Sequence, residues 1–128
     1  MKPNLYIITL AVDDLERSLD FYQNGLGLGT GIHGGDHVLF ELQGELSLGL
    51  YLRSEFNQVA GQKNNSNTAS SISLSYQADN REEVDQLLER AVQTGGSIPS
   101  PTQTHEWGYN GYFKDPDGHL WEIVSFNE

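Results

Sequence analysis

No cysteine occurs among the 128 residues. Thiolate catalysis, cysteine-ligated zinc and disulfide bridging are therefore outside the chemistry of this chain. Cations are scarce as well: seven Lys and Arg stand against 18 Asp and Glu, a net charge of −11 with His neutral. A surface of that sign repels phosphate backbones and anionic lipid, so neither nucleic acid nor a membrane is expected as a partner. Long apolar runs are missing too. Met1-Lys2-Pro3-Asn4 leads into only about eight apolar-rich residues, too few for a secretory leader or a membrane span, and the chain reads as cytoplasmic. A G-x-S-x-G elbow, a P-loop and H-E-x-x-H are all absent, which removes support for the common hydrolase, NTPase and metalloprotease readings. What remains is one domain spanning 1–128, long enough to bury about two thirds of its unfolded surface without a structural metal.

Tyr6 to Val12 is a β-branched and aromatic run that stops at Asp13-Asp14. Leu15, Leu19, Tyr22 and Leu26 then take helical spacing, with Asp13 as the cap, Glu16 three residues on, and Gly25 and Gly27 as the stop; this predicts a helix of about three turns. Thr30 to Ile32 is a further short strand, and His37 to Leu42 and Leu46 to Leu52 read as strands joined at Gln43-Gly44. Arg53 to Ser70 changes character, and its polar, aperiodic run Gln62 to Thr68 connects two halves. The pattern then recurs. Ser71 to Tyr76 alternates as a strand, Asn80 and Glu83 form a capping box, and Val84, Leu87, Leu88, Ala91 and Val92 line one helical face before Gly95-Gly96. A Pro/Ser/Thr loop follows, then a strand near Gly111 to Lys114, the turn Asp115-Pro116-Asp117-Gly118 and a last strand from His119 to Phe126. Position 7 maps to position 71. An element order repeated at half length is the mark of a duplicated unit. The expected fold is α+β: two β-α-β-β-β modules, about 4–55 and about 71–128 with a connector at about 56–70, forming a curved mixed sheet around a cavity with helices on the outer face.

Strand parity assigns faces, because the residues under the helices must be apolar. Ile8, Leu10 and Val12 pack beneath the first helix, leaving Ile7, Thr9 and Ala11 inward. Leucines 46, 48, 50 and 52 form a core set, leaving Ser47, Gly49 and Tyr51 inward. Ile72, Leu74 and Tyr76 are expected in the core, with Ser71, Ser73 and Ser75 as a row of inward hydroxyls. Trp121 and Ile123 fit the core, so Leu120, Glu122 and Val124 face the cavity, and Tyr112 points the same way. Glu122 is a carboxylate between apolar neighbours, a costly position unless it is paired or hydrogen-bonded. No Arg or Lys is read as inward.

Other signals carry less. Gly29-Thr30-Gly31-Ile32-His33-Gly34 matches G-x-G-x-x-G but follows a helix and precedes strands, the reverse of a dinucleotide-binding unit. His33 and His37 are four apart, yet Gly34-Gly35 between them opposes the helix that would align them. His105, Trp107 and Tyr109 fall in the loop before the last hairpin, at the mouth of the expected cavity, and His119 follows the turn into solvent.

Val12-Asp13-Asp14-Leu15, Ser18, Phe21-Tyr22 and Leu26-Gly27-Leu28, with the run from Gly111 to Glu122 (GYFKDPDGHLWE), closely resemble the vicinal oxygen chelate superfamily, the glyoxalase, bleomycin-resistance and extradiol-dioxygenase group. The resemblance spans essentially the whole chain and implies paired modules, usually as a homodimer. In metal-using members the ligands sit at positions that look like Ile7, Gly49, Ser71 and Glu122 here. Only the last binds a divalent metal well, and such a site needs three or more N or O donors, so no metal or other cofactor is expected.

Two functions follow as expectations. The first is metal-independent binding of a small amphipathic or cationic molecule, with Tyr51, Trp107, Tyr109, Tyr112 and Phe56 stacking, Ser71 and Ser73 supplying hydroxyls, and Glu122 the counter-charge. The alternative is a glyoxalase-like lyase or isomerase with Glu122 as general base or metal ligand. A third, structural module with a plain interior sits poorly with the serine row.

Overall fold

The computed structural model describes residues 1–3, 5–60 and 72–127, and the chain forms two compact units, Met1–Thr68 and Ala69–Glu128. The first unit contains strands β1 (Ile7–Val12), β2 (Ile32–His33), β3 (His37–Glu41) and β4 (Ser47–Leu52) and helices α1 (Leu15–Leu19) and α2 (Arg53–Ala60). Its sheet runs β1-β4-β3-β2, with β1 parallel to β4 and the other pairs antiparallel. Leu10, Val12, Val38, Phe40, Leu48 and Leu50 are buried on one face, as their alternation requires. Phe21 and Tyr22 cover them, Tyr22 meeting the Phe40 ring at 6.2 Å.

Three local expectations change in this unit. Asp14, in an extended conformation, caps α1 by accepting from the Arg17 amide at 3.0 Å, while Asp13 pairs with Arg53 Nε at 2.6 Å. After Leu19 the helix widens into a π segment, Asp20–Gly25, closed by the Leu26 amide on the Phe21 carbonyl at 2.9 Å. The wider turn lets two successive aromatics, Phe21 and Tyr22, both reach the sheet. The connector also begins with a helix: α2 is held where Arg53 grips Asp13 and the Ala11 carbonyl and where Phe56 packs on Tyr51. Tertiary anchoring of this kind overrides weak sequence periodicity.

The second unit repeats the topology. β5 (Ser73–Gln77), β6 (Gln103–His105), β7 (Gly108–Lys114) and β8 (Leu120–Phe126) form a sheet ordered β5-β8-β7-β6, with α3 (Arg81–Gln93) preceding β6 in the chain. β5 is parallel to β8 and the other pairs are antiparallel. Asn80 Oδ1 accepts from the Glu83 amide at 2.8 Å, and Glu83 Oε1 accepts from the Asp79 amide at 2.7 Å, so the cap of α3 is reciprocated one residue before the N-cap Asn80. Val84, Leu88 and Ala91 are buried against the sheet with Phe113 and Ile123. A Cβ on Gly111 would come within 2.6 Å of Leu88 Cδ1, which shows how closely α3 lies on β7. In the turn before β8, buried Asp115 accepts through Oδ1 from the amides of Asp117 and His119.

Ile72 and Tyr76 do not enter the core. They are 69% and 42% exposed, and the Tyr76 hydroxyl donates to Glu83 Oε2 instead. Val92 likewise lies half open at the far end of its face. In the second half of the expected loop before Gly111 the chain is a hairpin, since β6 and β7 pair across a turn at Glu106-Trp107 that carries no Asn-Gly or Asp-Gly signature. Register also realigns the halves. Ile7 lies opposite Ser47 on entering β4, as Ser73 lies opposite Leu120 on entering β8, so Ser73 and not Ser71 is the counterpart of Ile7. Ser71 itself lies outside the described residues.

Candidate functional site

The face of the second sheet opposite α3 is where polar chemistry collects. Glu122 on β8 lies opposite Ser75 on β5 and opposite Tyr112 on β7, which gives all three side chains one parity. The half-buried carboxylate is fully engaged: Ser75 Oγ donates to Oε1 at 2.8 Å and Asn110 Nδ2 donates to Oε2 at 2.9 Å. Because the Asn110 amide spends its N–H on Glu122, its Oδ1 must accept, and it does so from His105 Nε2 at 2.9 Å. That assignment places the imidazole proton on Nε2. The Trp107 indole stacks on the His105 ring at 4.5 Å, within 6° of parallel, and meets Phe126 at 5.7 Å. A relay of Trp107, His105, Asn110, Glu122 and Ser75 therefore holds one negative charge in a fixed place, with a lone pair left on each oxygen for a ligand.

One step along the same face is a cavity of about 470 Å³ lined by Ser73, Tyr112, Lys114 and Leu120, with Ile72 and the Pro99-Ser100 segment. Lys114 corrects the expectation that no cation faces inward. It shares the parity of Tyr112, so extending the alternation of β7 by two residues was enough to find it. The same step backward from Tyr112 reaches Asn110, which the shorter expected strand had left out.

In the first unit the matching face has a smaller cavity of about 230 Å³, lined by Ile7, Thr9, His37, Leu39, Gly49 and Tyr51 among others. Tyr51 stands between the His37 and Phe56 rings at 6.4 and 6.5 Å. Partial burial, then the carboxylates of Asp36 and Glu55, push its phenol above the usual range. His37 Nδ1 pairs with Asp36 at 2.9 Å. Gly49 occupies in this sheet the rung that Glu122 occupies in the second, flanked by Thr9 and Leu39 as Glu122 is flanked by Ser75 and Tyr112.

Of the expected site residues, Ser73 and Tyr112 share the Glu122 face, Trp107 reaches it through His105, and Tyr51 with Phe56 belongs to the first unit. Tyr109 is misplaced by the expectation. Next to Asn110 on β7, it takes the opposite parity, donates to Asp85 Oδ1 at 2.6 Å and lies under the Arg81 guanidinium at 5.2 Å. It braces α3 and does not face the Glu122 group; the Asp85 bond raises its phenol pKa.

Metal ligation is a question of donors. Around Glu122 the partners are a serine hydroxyl and an amide, both weak ligands for a divalent ion, and the positions resembling the other ligands carry Ile7 and Gly49. Among the described residues no three of His, Asp and Glu stand together as a metal set. These residues do not fit the metal that metal-using relatives hold.

The comparisons agree with this architecture. A structure of a glyoxalase-related enzyme from Fulvimarina pelagi is 30% identical with a TM-score of 0.88, covering 97% of this chain and 88% of that one. The metallothiol transferase FosB of Lysinibacillus sphaericus is 29% identical over 117 residues, 91% of this chain and 77% of that protein. The fosfomycin resistance protein FosX of Listeria monocytogenes, 24% identical with a TM-score of 0.73 and covering 99% of this chain and 96% of that one, shares the fold. The family model matches residues 5–123, and this chain belongs to the Glyoxalase/Bleomycin resistance protein/Dioxygenase superfamily.

Proposed function

We propose that the protein binds a small amphipathic molecule bearing a cationic group on the open face of the second sheet, without a metal, with Glu122 as counter-charge. The observation that carries this reading is the fixed carboxylate: Ser75 and Asn110 hold both oxygens of Glu122 and leave each a free lone pair. Tyr112 opposite it and the Trp107 ring behind His105 supply aromatic surface of the kind that favours cations. The metallothiol transferase is named for a metal and a thiol, and the donor set around Glu122 does not support that chemistry here.

Glu122→Gln keeps the shape and removes the charge. It should weaken a cationic ligand by about 1 to 3 kcal/mol and leave a neutral isostere unchanged. Equal losses for both ligands in calorimetric titration would refute the counter-charge role. Two copies should assemble in solution, as the resemblance implies, and light scattering should return about twice the chain mass of 14.2 kDa.

A second reading, a lyase or isomerase with Glu122 as general base, draws support from Lys114, a cation on the same face that can stabilise an enolate oxygen. In that case Glu122→Gln abolishes turnover while substrate binding persists; turnover retained in the variant removes Glu122 as the base.

A further inference from the structure

The cavity beside Glu122 carries the opposite charge. Lys114 lines it with the hydroxyl-bearing Ser73, Ser100 and Tyr112, and among the described residues no carboxylate is part of its wall. Among the described residues no Asp or Glu pairs with the Lys114 ammonium, in a chain where acidic residues outnumber basic ones 18 to 7. The surroundings of that ammonium are built. Ser97 and Lys114 exchange both backbone hydrogen bonds, at 3.0 and 2.8 Å, which pins the following Pro99-Ser100 segment along the edge of β7. Among the described residues Lys114 makes no ion pair with Glu122 either.

Register sets the spacing. Lys114 lies opposite Leu120 and Tyr112 opposite Glu122, so the two charges sit on one face, two residues apart along neighbouring strands. With about 3.4 Å per residue and about 4.8 Å between strands, their Cα atoms are roughly 8 Å apart. Between them lie the Tyr112 ring and the Leu120 side chain, an apolar bridge. A cation alone satisfies only half of this arrangement and leaves Lys114 to repel it.

We infer that the ligand is a small zwitterion: an oxyanion held by Lys114 with the hydroxyls of Ser73, Ser100 and Tyr112, an ammonium at Glu122, and an apolar middle along Tyr112 and Leu120. A cavity of about 470 Å³ is of the size that holds one small molecule. The inference rests on the reading of Glu122 as counter-charge, and the test separates the two.

The test is calorimetric titration of the full chain at low salt with three probes: 4-(aminomethyl)benzoate, which carries both charges, benzylamine, which carries the cation, and benzoate, which carries the anion. The zwitterion should bind about tenfold tighter than benzylamine, as a charge-assisted hydrogen-bond set at the second pole implies. Lys114→Met should erase that advantage while benzylamine, relieved of the like charge, binds no more weakly than before; Lys114→Gln serves if the Met variant does not fold. Glu122→Gln should weaken benzylamine and the zwitterion together. Replacing the carboxylate by a phosphonate in the same frame tells which oxyanion is preferred. If benzylamine depends on Glu122 but the zwitterion gains nothing and Lys114→Met is silent, the second pole is wrong and the counter-charge stands. If benzylamine is indifferent to Glu122→Gln, the counter-charge itself falls. Absence of heat from every probe at about 10 mM overturns both.

Discussion

Tyr109 and Glu122 show how little separates a brace from a site. Tyr109 is one residue from Asn110, which holds Glu122, yet the two side chains leave β7 on opposite faces. The Tyr109 hydroxyl donates to Asp85, and that bond keeps the phenol protonated above its ordinary value of 10. The unfolded chain releases the proton near pH 10 while the folded chain retains it, so the stabilisation is complete below about pH 9 and is lost as pH rises through the folded value. Tyr51 and Tyr76 shift in the same direction and add to the alkaline loss. Tyr109→Phe should cost about 0.5 to 1.5 kcal/mol at pH 7 and flatten the fall in stability above pH 9 by its own share. Urea titrations at pH 7 and pH 10.5 measure both parts.

At the scale of elements, the second sheet depends on two glycines for different reasons. Gly108 opens β7 with a φ of 159°, and a Cβ there would sit 2.2 Å from the Ser125 carbonyl oxygen on β8. Backbone cannot move aside as a side-chain end can, so Gly108→Ala should cost about 3 kcal/mol or more. Gly118 in the turn before β8 has a φ of 89° with open space around it. Gly118→Ala pays only the conformational penalty, about 1 kcal/mol. Urea midpoints at constant slope should rank the variants in that order. β1, β3, β4 and α3 were legible because each has one strongly apolar face. β6 and the start of β7 were not, since Gln103, Thr104, Glu106 and Gly108 offer no alternation and the turn between the strands lacks the usual residues. α2 was missed because its anchors, Asp13 and Ala11, lie about forty residues earlier.

For the whole molecule the governing quantity is the net charge of −11. Self-repulsion of that size weakens the compact state and is screened by salt, whereas an exposed pair such as Asp13 with Arg53 is weakened by it. With 18 acidic residues against seven basic ones, repulsion dominates, and the melting temperature should rise between 10 and 300 mM NaCl. A fall would mean that the ion pairs outweigh the imbalance.

Sequence alone determined the α+β class, the repeated β-α-β-β order, the family resemblance and the shared face of Glu122 and Tyr112. Each of these rests on local periodicity or on contiguous motifs. Tertiary structure decided the alignment of the two halves, the turning of Tyr109 toward α3, the exposure of Ile72 and Tyr76, and the joining of His105, Asn110, Ser75 and Glu122 into one relay. The physical reason is register. A strand's side chains alternate by sequence, but which residues of different strands meet is set by hydrogen-bonded pairing between segments far apart in the chain.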